Sequence, residues 1–210
     1  MSSGSQRPGA AASLVAASSV ILLAGCAGAT SAPTPAAPRP PATLRPSPTQ
    51  AVGPIPPVNN PRDITTMTRR PCDVLTPQQA TGFRLDLPGD QLTGLHGTLR
   101  CQWTTTTGSA REIVRMVDVS LSADNSAFEA AYSRDRGLAY FDLTNIAGDP
   151  AIVTRTNPNL PICTVKIKVA EQQGISVDYE DKALNKNPQQ SCEVGKRVAA
   201  AVLANVPPKS

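Results

Sequence analysis

Five cysteines and one histidine are the side chains of this sequence best suited to covalent, redox or metal chemistry: Cys26, Cys72, Cys101, Cys163, Cys192 and His96. Structural zinc sites use thiolates two to four residues apart. No cysteines here have that spacing, and no Cys-x-x-Cys redox pair occurs. A Ser-His-Asp enzyme would have to use His96, which sits in Gly94-Leu95-His96-Gly97, and no Gly-x-Ser-x-Gly is present. His96 reads as an exposed loop residue. No metalloprotease helix, phosphate-binding loop or EF-hand pattern appears. Asp178, Glu180 and Asp181 read as a solvated strand end rather than a calcium site. Trp103, beside Cys101, reads as core packing rather than a sugar platform. The expectation is a chain with no catalytic residue, no metal and no cofactor.

The cysteines divide into one and four. Ala10 to Gly25 is an apolar or small run behind Arg7, and it ends Leu23-Ala24-Gly25-Cys26. The run is short for a spanning helix, which needs about 20 apolar residues, and suits a secretory signal peptide. Its end resembles the bacterial lipobox, in which a peptidase cuts before a Cys whose sulfur is acylated. Cys26 is therefore the expected lipidation site and residues 1–25 the signal peptide. An anchor with two or more acyl chains holds stably, each buried methylene adding about 0.8 kcal/mol.

Four cysteines in an exported chain point to disulfides. They allow three connectivities. Cys72 to Cys101 and Cys163 to Cys192 are both separated by 29 residues. Each pair joins the start of an expected helix to an expected strand, which favours Cys72–Cys101 and Cys163–Cys192.

Composition partitions the rest. All seven aromatics follow residue 82, whereas 12 of the 21 prolines fall between Ala27 and Pro71. Residues 26–71 are thus read as the lipidated cysteine and a disordered Pro/Thr/Ser-rich spacer, extended by polyproline II. Residues 72–210 are read as a globular domain. The chain's net charge of +4 resides in the spacer, and the domain is close to neutral. A nucleic-acid-binding domain would concentrate basic charge on its own surface, so that class is set aside.

Within the domain, Thr76-Pro77-Gln78-Gln79 is a helix start with a capping pattern. Residues 98–107, 112–122, 139–146, 150–155 and 162–170 read as strands, and 124–134 as a helix. Ile175, Val177 and Tyr179 mark another strand. If Val169 pairs with Ile175, Lys166 stands opposite Asp178. Ser191 is the expected cap of a final helix over 192–205. The order predicts an α+β fold: an antiparallel sheet with helices packed on one face and two helix-to-strand disulfides.

Lipobox Cys26, the Pro-rich spacer, Pro71-Cys72-Asp73-Val74-Leu75-Thr76-Pro77, Cys101-Gln102-Trp103, Gly148-Asp149-Pro150-Ala151, Cys163 and Cys192 form an ordered set. It resembles the actinobacterial envelope lipoproteins of the mycobacterial Lpp/Lpq/Lpr kind, grouped as a domain of unknown function. The resemblance implies an exported, lipidated α+β domain with two bridges, and no reaction. The expected role is a non-catalytic binding or interaction module of the cell envelope, lipid-anchored to the extracytoplasmic face of the cell membrane. Its partner would be an envelope protein or a small apolar ligand. A carrier or sensor of such a ligand is the alternative, and an envelope hydrolase a more distant one.

Overall fold

The computed structural model describes residues 53–94, 97–123 and 127–209. In chain order it contains α1 (Pro77–Gly82), β1 (Asp90–Thr93), β2 (Leu99–Thr107), β3 (Glu112–Ser122), α2 (Ala127–Asp135), β4 (Tyr140–Ile146), β5 (Asp149–Arg155), β6 (Ile162–Lys168), β7 (Gly174–Asp181) and α3 (Gln190–Ala204). Short 3-10 turns occupy Met67–Arg69, Pro71–Val74 and Lys182–Leu184. The strands form one sheet in the order β1-β2-β3-β7-β6-β5-β4, antiparallel throughout. Two meanders, β1–β3 and β4–β7, meet where β3 pairs with β7. The connection through α2 carries the chain from β3 to the far edge at β4.

Strand side chains alternate in direction, so each strand divides its residues between two faces. Trp103, Val117, Val119, Val165, Ile167 and Val177 share one face and are buried. Each such side chain contributes about 1.5–3 kcal/mol when removed from water. α3 covers this face with Val198, Ala199, Val202 and Leu203, all inaccessible. Gly195 lets it approach: a Cβ there would lie 3.4 Å from Val165 and 3.5 Å from Tyr179. α1 starts as expected, with Thr76 and Gln79 capping each other's backbone N–H groups. Gln79 also donates to Ala201 O at 3.2 Å and accepts from Asn205 at 2.7 Å, fastening α1 to the end of α3.

Both expected disulfides are present. Cys72–Cys101 joins the turn before α1 to β2, and Cys163–Cys192 joins β6 to the first turn of α3. The α+β fold built on an antiparallel sheet is as read. The expectation of helices on one face describes α1 and α3. α2 lies over the other face, where Lys166 and Lys168 of β6 pair with Asp135 and Glu129.

Two local expectations are corrected, and one strand is added. Lys166 does not stand opposite Asp178. Its register partner is Ser176, and Asp178 faces Thr164. Val169 donates to Gln173 O, so the turn closes earlier and shifts the pairing by two residues. Ser191 is not the cap of α3, which begins at Gln190; its hydroxyl is buried and donates to Pro188 O at 2.5 Å. β1, which the sequence reading passed over, pairs with β2 from Thr93↔Leu99 to Asp90↔Gln102.

The boundary expected at residue 72 falls inside the folded unit. Ile64 is fully buried in the core. Arg62 reaches Asp149 at 2.9 Å, and Asp149 is 2% exposed. The Arg62 guanidinium also donates to Leu203 O and Val206 O, satisfying carbonyls at the end of α3. The Arg62 backbone N–H donates to Val169 O, and Lys209 N–H to Pro61 O. Prolines that break secondary structure do not prevent the residues between them from docking.

Candidate binding face

The face opposite α1 and α3 carries the polar half of each central strand. Register places Arg100, Ser120, Ser176 and Lys166 side by side across β2, β3, β7 and β6. The next row holds Gln102, Asp118, Asp178 and Thr164. Arg100 donates to Asp118 at 2.5 Å, Gln102 donates to it at 3.3 Å, and Thr164 donates to Asp178 at 2.5 Å. Burial pushes the Asp118 carboxyl above its ordinary range, and the charge of Asp178 adds to that push against the pull of Arg100.

α2 bounds this face on the β6 side. Phe128 and Ala131 are buried on it, and so is Ile152 of β5, the register partner of Lys166. Lys166 donates to Asp135 at 2.9 Å, and Lys168 lies 2.5 Å from Glu129. Burial raises the tendency of Asp135 to protonate, but hydrogen bonds from Arg134 and Lys166 outweigh it and hold the carboxyl below the usual range. Tyr132 donates to Gly53 O at 2.6 Å and meets Phe141 edge-on at 5.9 Å. Where the first turn of α2 overhangs the Ser120–Ser176–Lys166 row there is a pocket of about 180 Å³.

Chemically, this surface offers hydrogen-bond donors and acceptors beside an apolar recess. Asp118 and Asp178 face each other across β3 and β7, but each is engaged by neighbouring donors within the sheet. Among the described residues no group of three His, Cys, Asp or Glu side chains is arranged to hold a metal ion.

The residues singled out from sequence go to different places. Cys26 and His96 lie outside the described residues. Cys72, Cys101, Cys163 and Cys192 are spent in the two bridges. Trp103 is 2% exposed. It fills the core against Gly89, where a Cβ would come within 2.5 Å of its Nε1. The Asp178, Glu180 and Asp181 group does not stay together, because strand alternation sends Asp181 to the other face. There Asp181 receives Arg115 at 2.7 and 2.8 Å and Tyr179 at 3.2 Å. The two polar rows were missed. Their only local signal is the alternation of Met116, Asp118, Ser120 and Ser122 against the valines of β3. Their assembly depends on β3 finding β7.

A family model described as a protein of unknown function, DUF3558, matches residues 21–205. No curated protein and no solved structure matches the chain. Among the described residues no helix is long and apolar enough to cross a membrane.

Proposed function

The chain belongs to this family of unknown function, and from that premise we propose that it is an exported lipoprotein, lipidated at Cys26, that serves the cell envelope as a non-catalytic binding module. The family is in this reading the actinobacterial envelope group that the ordered cysteine motifs resemble. The match begins at residue 21 and so takes in Leu23-Ala24-Gly25-Cys26. Two disulfides in one small domain fit an oxidising, extracytoplasmic setting.

The observation that carries the binding role is the asymmetry of the sheet. One face is closed by α1, α3 and both bridges, while the other presents two polar rows and a recess beside α2. The size of the recess weighs against the lipid-carrier alternative. Pockets that enclose drug-sized ligands measure about 300–1,000 Å³, and this one is about 180 Å³. A whole lipid would not be enclosed, which leaves surface recognition as the better fit.

The test places a photoreactive amino acid at Gln102 or Glu180 on the open face, and at exposed Glu193 on α3, in the membrane-bound protein. Defined adducts with an envelope component from the first two sites and none from Glu193 are expected. Equal labelling from all three would sink the assignment of the face. Separately, Cys26→Ala is expected to abolish lipid labelling and release the protein from the membrane fraction. Unchanged labelling would refute the anchor.

A further inference from the structure

Resting on that reading of the open face, we propose that the recess beneath the first turn of α2 is a binding site for a small organic acid, a carboxylate on a compact apolar body of one ring or a short branched chain.

The walls set the body of the ligand. Phe128 and Ala127 of α2 and the aliphatic stem of Lys166 contribute apolar surface, while Leu121, Ile167 and Ile175 border the recess along their strands with their side chains turned to the covered face. Volume sets the limit on that body, since a cavity of about 150 Å³ is enough to take benzene. At about 180 Å³ this one has room for a ring with one small substituent. A long acyl chain does not fit.

The floor sets the head group. Among the residues that line the recess, Lys166 alone is charged. Its ammonium has three N–H donors, of which one is directed to Asp135 at 2.9 Å. Ser120 and Ser176 are register partners on β3 and β7, next in line to Lys166 on β6. Neither hydroxyl has a hydrogen-bond partner among the described residues. Asp118, Asp135, Asp178 and Glu129 stand nearby but do not line the recess. A carboxylate seated there would accept from two hydroxyls and an ammonium, which is what an anion needs when it leaves water. A cationic head would meet Lys166 with like charge. A neutral alcohol would forgo the charge-assisted bond.

The measurement is an NMR titration of the purified folded chain with sodium benzoate, benzyl alcohol, sodium acetate and inorganic phosphate. Benzoate is expected to shift the amide signals of Ser120, Phe128, Lys166 and Ser176 saturably. Benzyl alcohol, with the ring but no charge, should bind about tenfold more weakly, the worth of one hydrogen bond to a charged group. Acetate and phosphate, which lack the apolar body, should give no saturable shift. Lys166→Gln and Ser176→Val should each weaken benzoate about tenfold, and Lys166→Arg should retain most of the affinity. Ser120→Val provides the same test of the hydroxyls if the substitution at 176 impairs folding. Absence of saturable benzoate shifts, equal affinity for benzyl alcohol, or full affinity in the Lys166→Gln and valine variants would overturn the site. Crosslinking from Gln102 and Glu180, which lie outside the recess, would still judge the wider face on its own.

Discussion

The two faces of the sheet hold their helices by different means. α3 is held by a disulfide, by Gly195 at van der Waals distance from the sheet, and by four side chains with no exposure at all. α2 is held by Phe128, Ala131 and two ion pairs, in one of which Glu129 is 35% exposed. Apolar and covalent attachment excludes water and fixes one arrangement. Charged clips contribute less, the more so where one partner is partly wet, as Glu129 is. The closed face therefore makes the scaffold, and the open face is the part of the sheet whose polar rows are left uncovered by α1 and α3.

The strongest way to break this contrast is to remove the segment that closes the scaffold from outside the sheet. A chain starting at Cys72 loses Ile64, whose burial is worth about 1.5–3 kcal/mol. It also leaves Asp149 buried without Arg62, and breaking a buried pair costs about 3–5 kcal/mol. That approaches the whole stability of a typical domain, about 5–15 kcal/mol. Denaturant unfolding should show a severely destabilised or unfolded truncated chain, whereas one starting at residue 53 should unfold cooperatively. Equal midpoints would mean that the Arg62–Ile64 segment is ornamental.

A smaller loss is expected from opening the second bridge. Cys163→Ala with Cys192→Ala should lower stability by about 3–4 kcal/mol, from the loop entropy of a 29-residue separation. The measurement is again urea unfolding, and a change under 1 kcal/mol would show that α3 holds by packing alone.

On the open face, Asp135→Asn removes the carboxylate that receives Lys166 and Arg134. Because Asp135 is itself buried, the expected cost is about 1–3 kcal/mol, with faster amide exchange in α2 and unchanged exchange in α3. The pH dependence has a definite sign. The Asp135 carboxyl is depressed in the folded state, so its contribution is present above the ordinary carboxylate range and fades as pH falls through the depressed value. A variant as acid-sensitive as the parent would contradict this.

The smallest effect belongs to Asp118. Its carboxyl is raised by burial and by Asp178, so its contribution is complete below the ordinary value and declines as pH rises through the raised one. Asp118→Asn should flatten stability against pH on the high side of the ordinary carboxylate range, a change visible in careful thermal scans and opposite in sense to that of Asp135→Asn. An unaltered slope would mean that Asp118 ionises as it does in the unfolded chain.

The legible parts of this fold were those encoded within a few residues. Thr76 and Gln79 announce α1 because a capping box is a three-residue device. The valines of β3 and β6 announce a half-buried strand through their period of two. The bridges were readable because equal separations coincided with helix and strand signals. What failed depends on distant partners. β1 has no apolar period of its own and exists because β2 pairs with it. Lys166 finds Asp135 rather than Asp178 because one tight turn at Gln173 sets the register. Arg62 and Ile64 were hidden by the prolines around them, since composition averages over a window and a buried contact needs only one side chain. The recess was illegible for the same reason, because Ser120 and Ser176 become neighbours only through the β3–β7 pairing.

Under mechanical tension the order of these attachments becomes a sequence of events. A pull transmitted along the chain from its N-terminal side meets the Gly53–Tyr132 hydrogen bond first, then the Arg62 contacts, and then the bridges. Beyond that point each disulfide withholds a 29-residue span, roughly 100 Å of contour at about 3.4 Å per residue. The segment ahead of Cys72 would pay out under load while the two shortened loops kept the sheet from being drawn into a full thread.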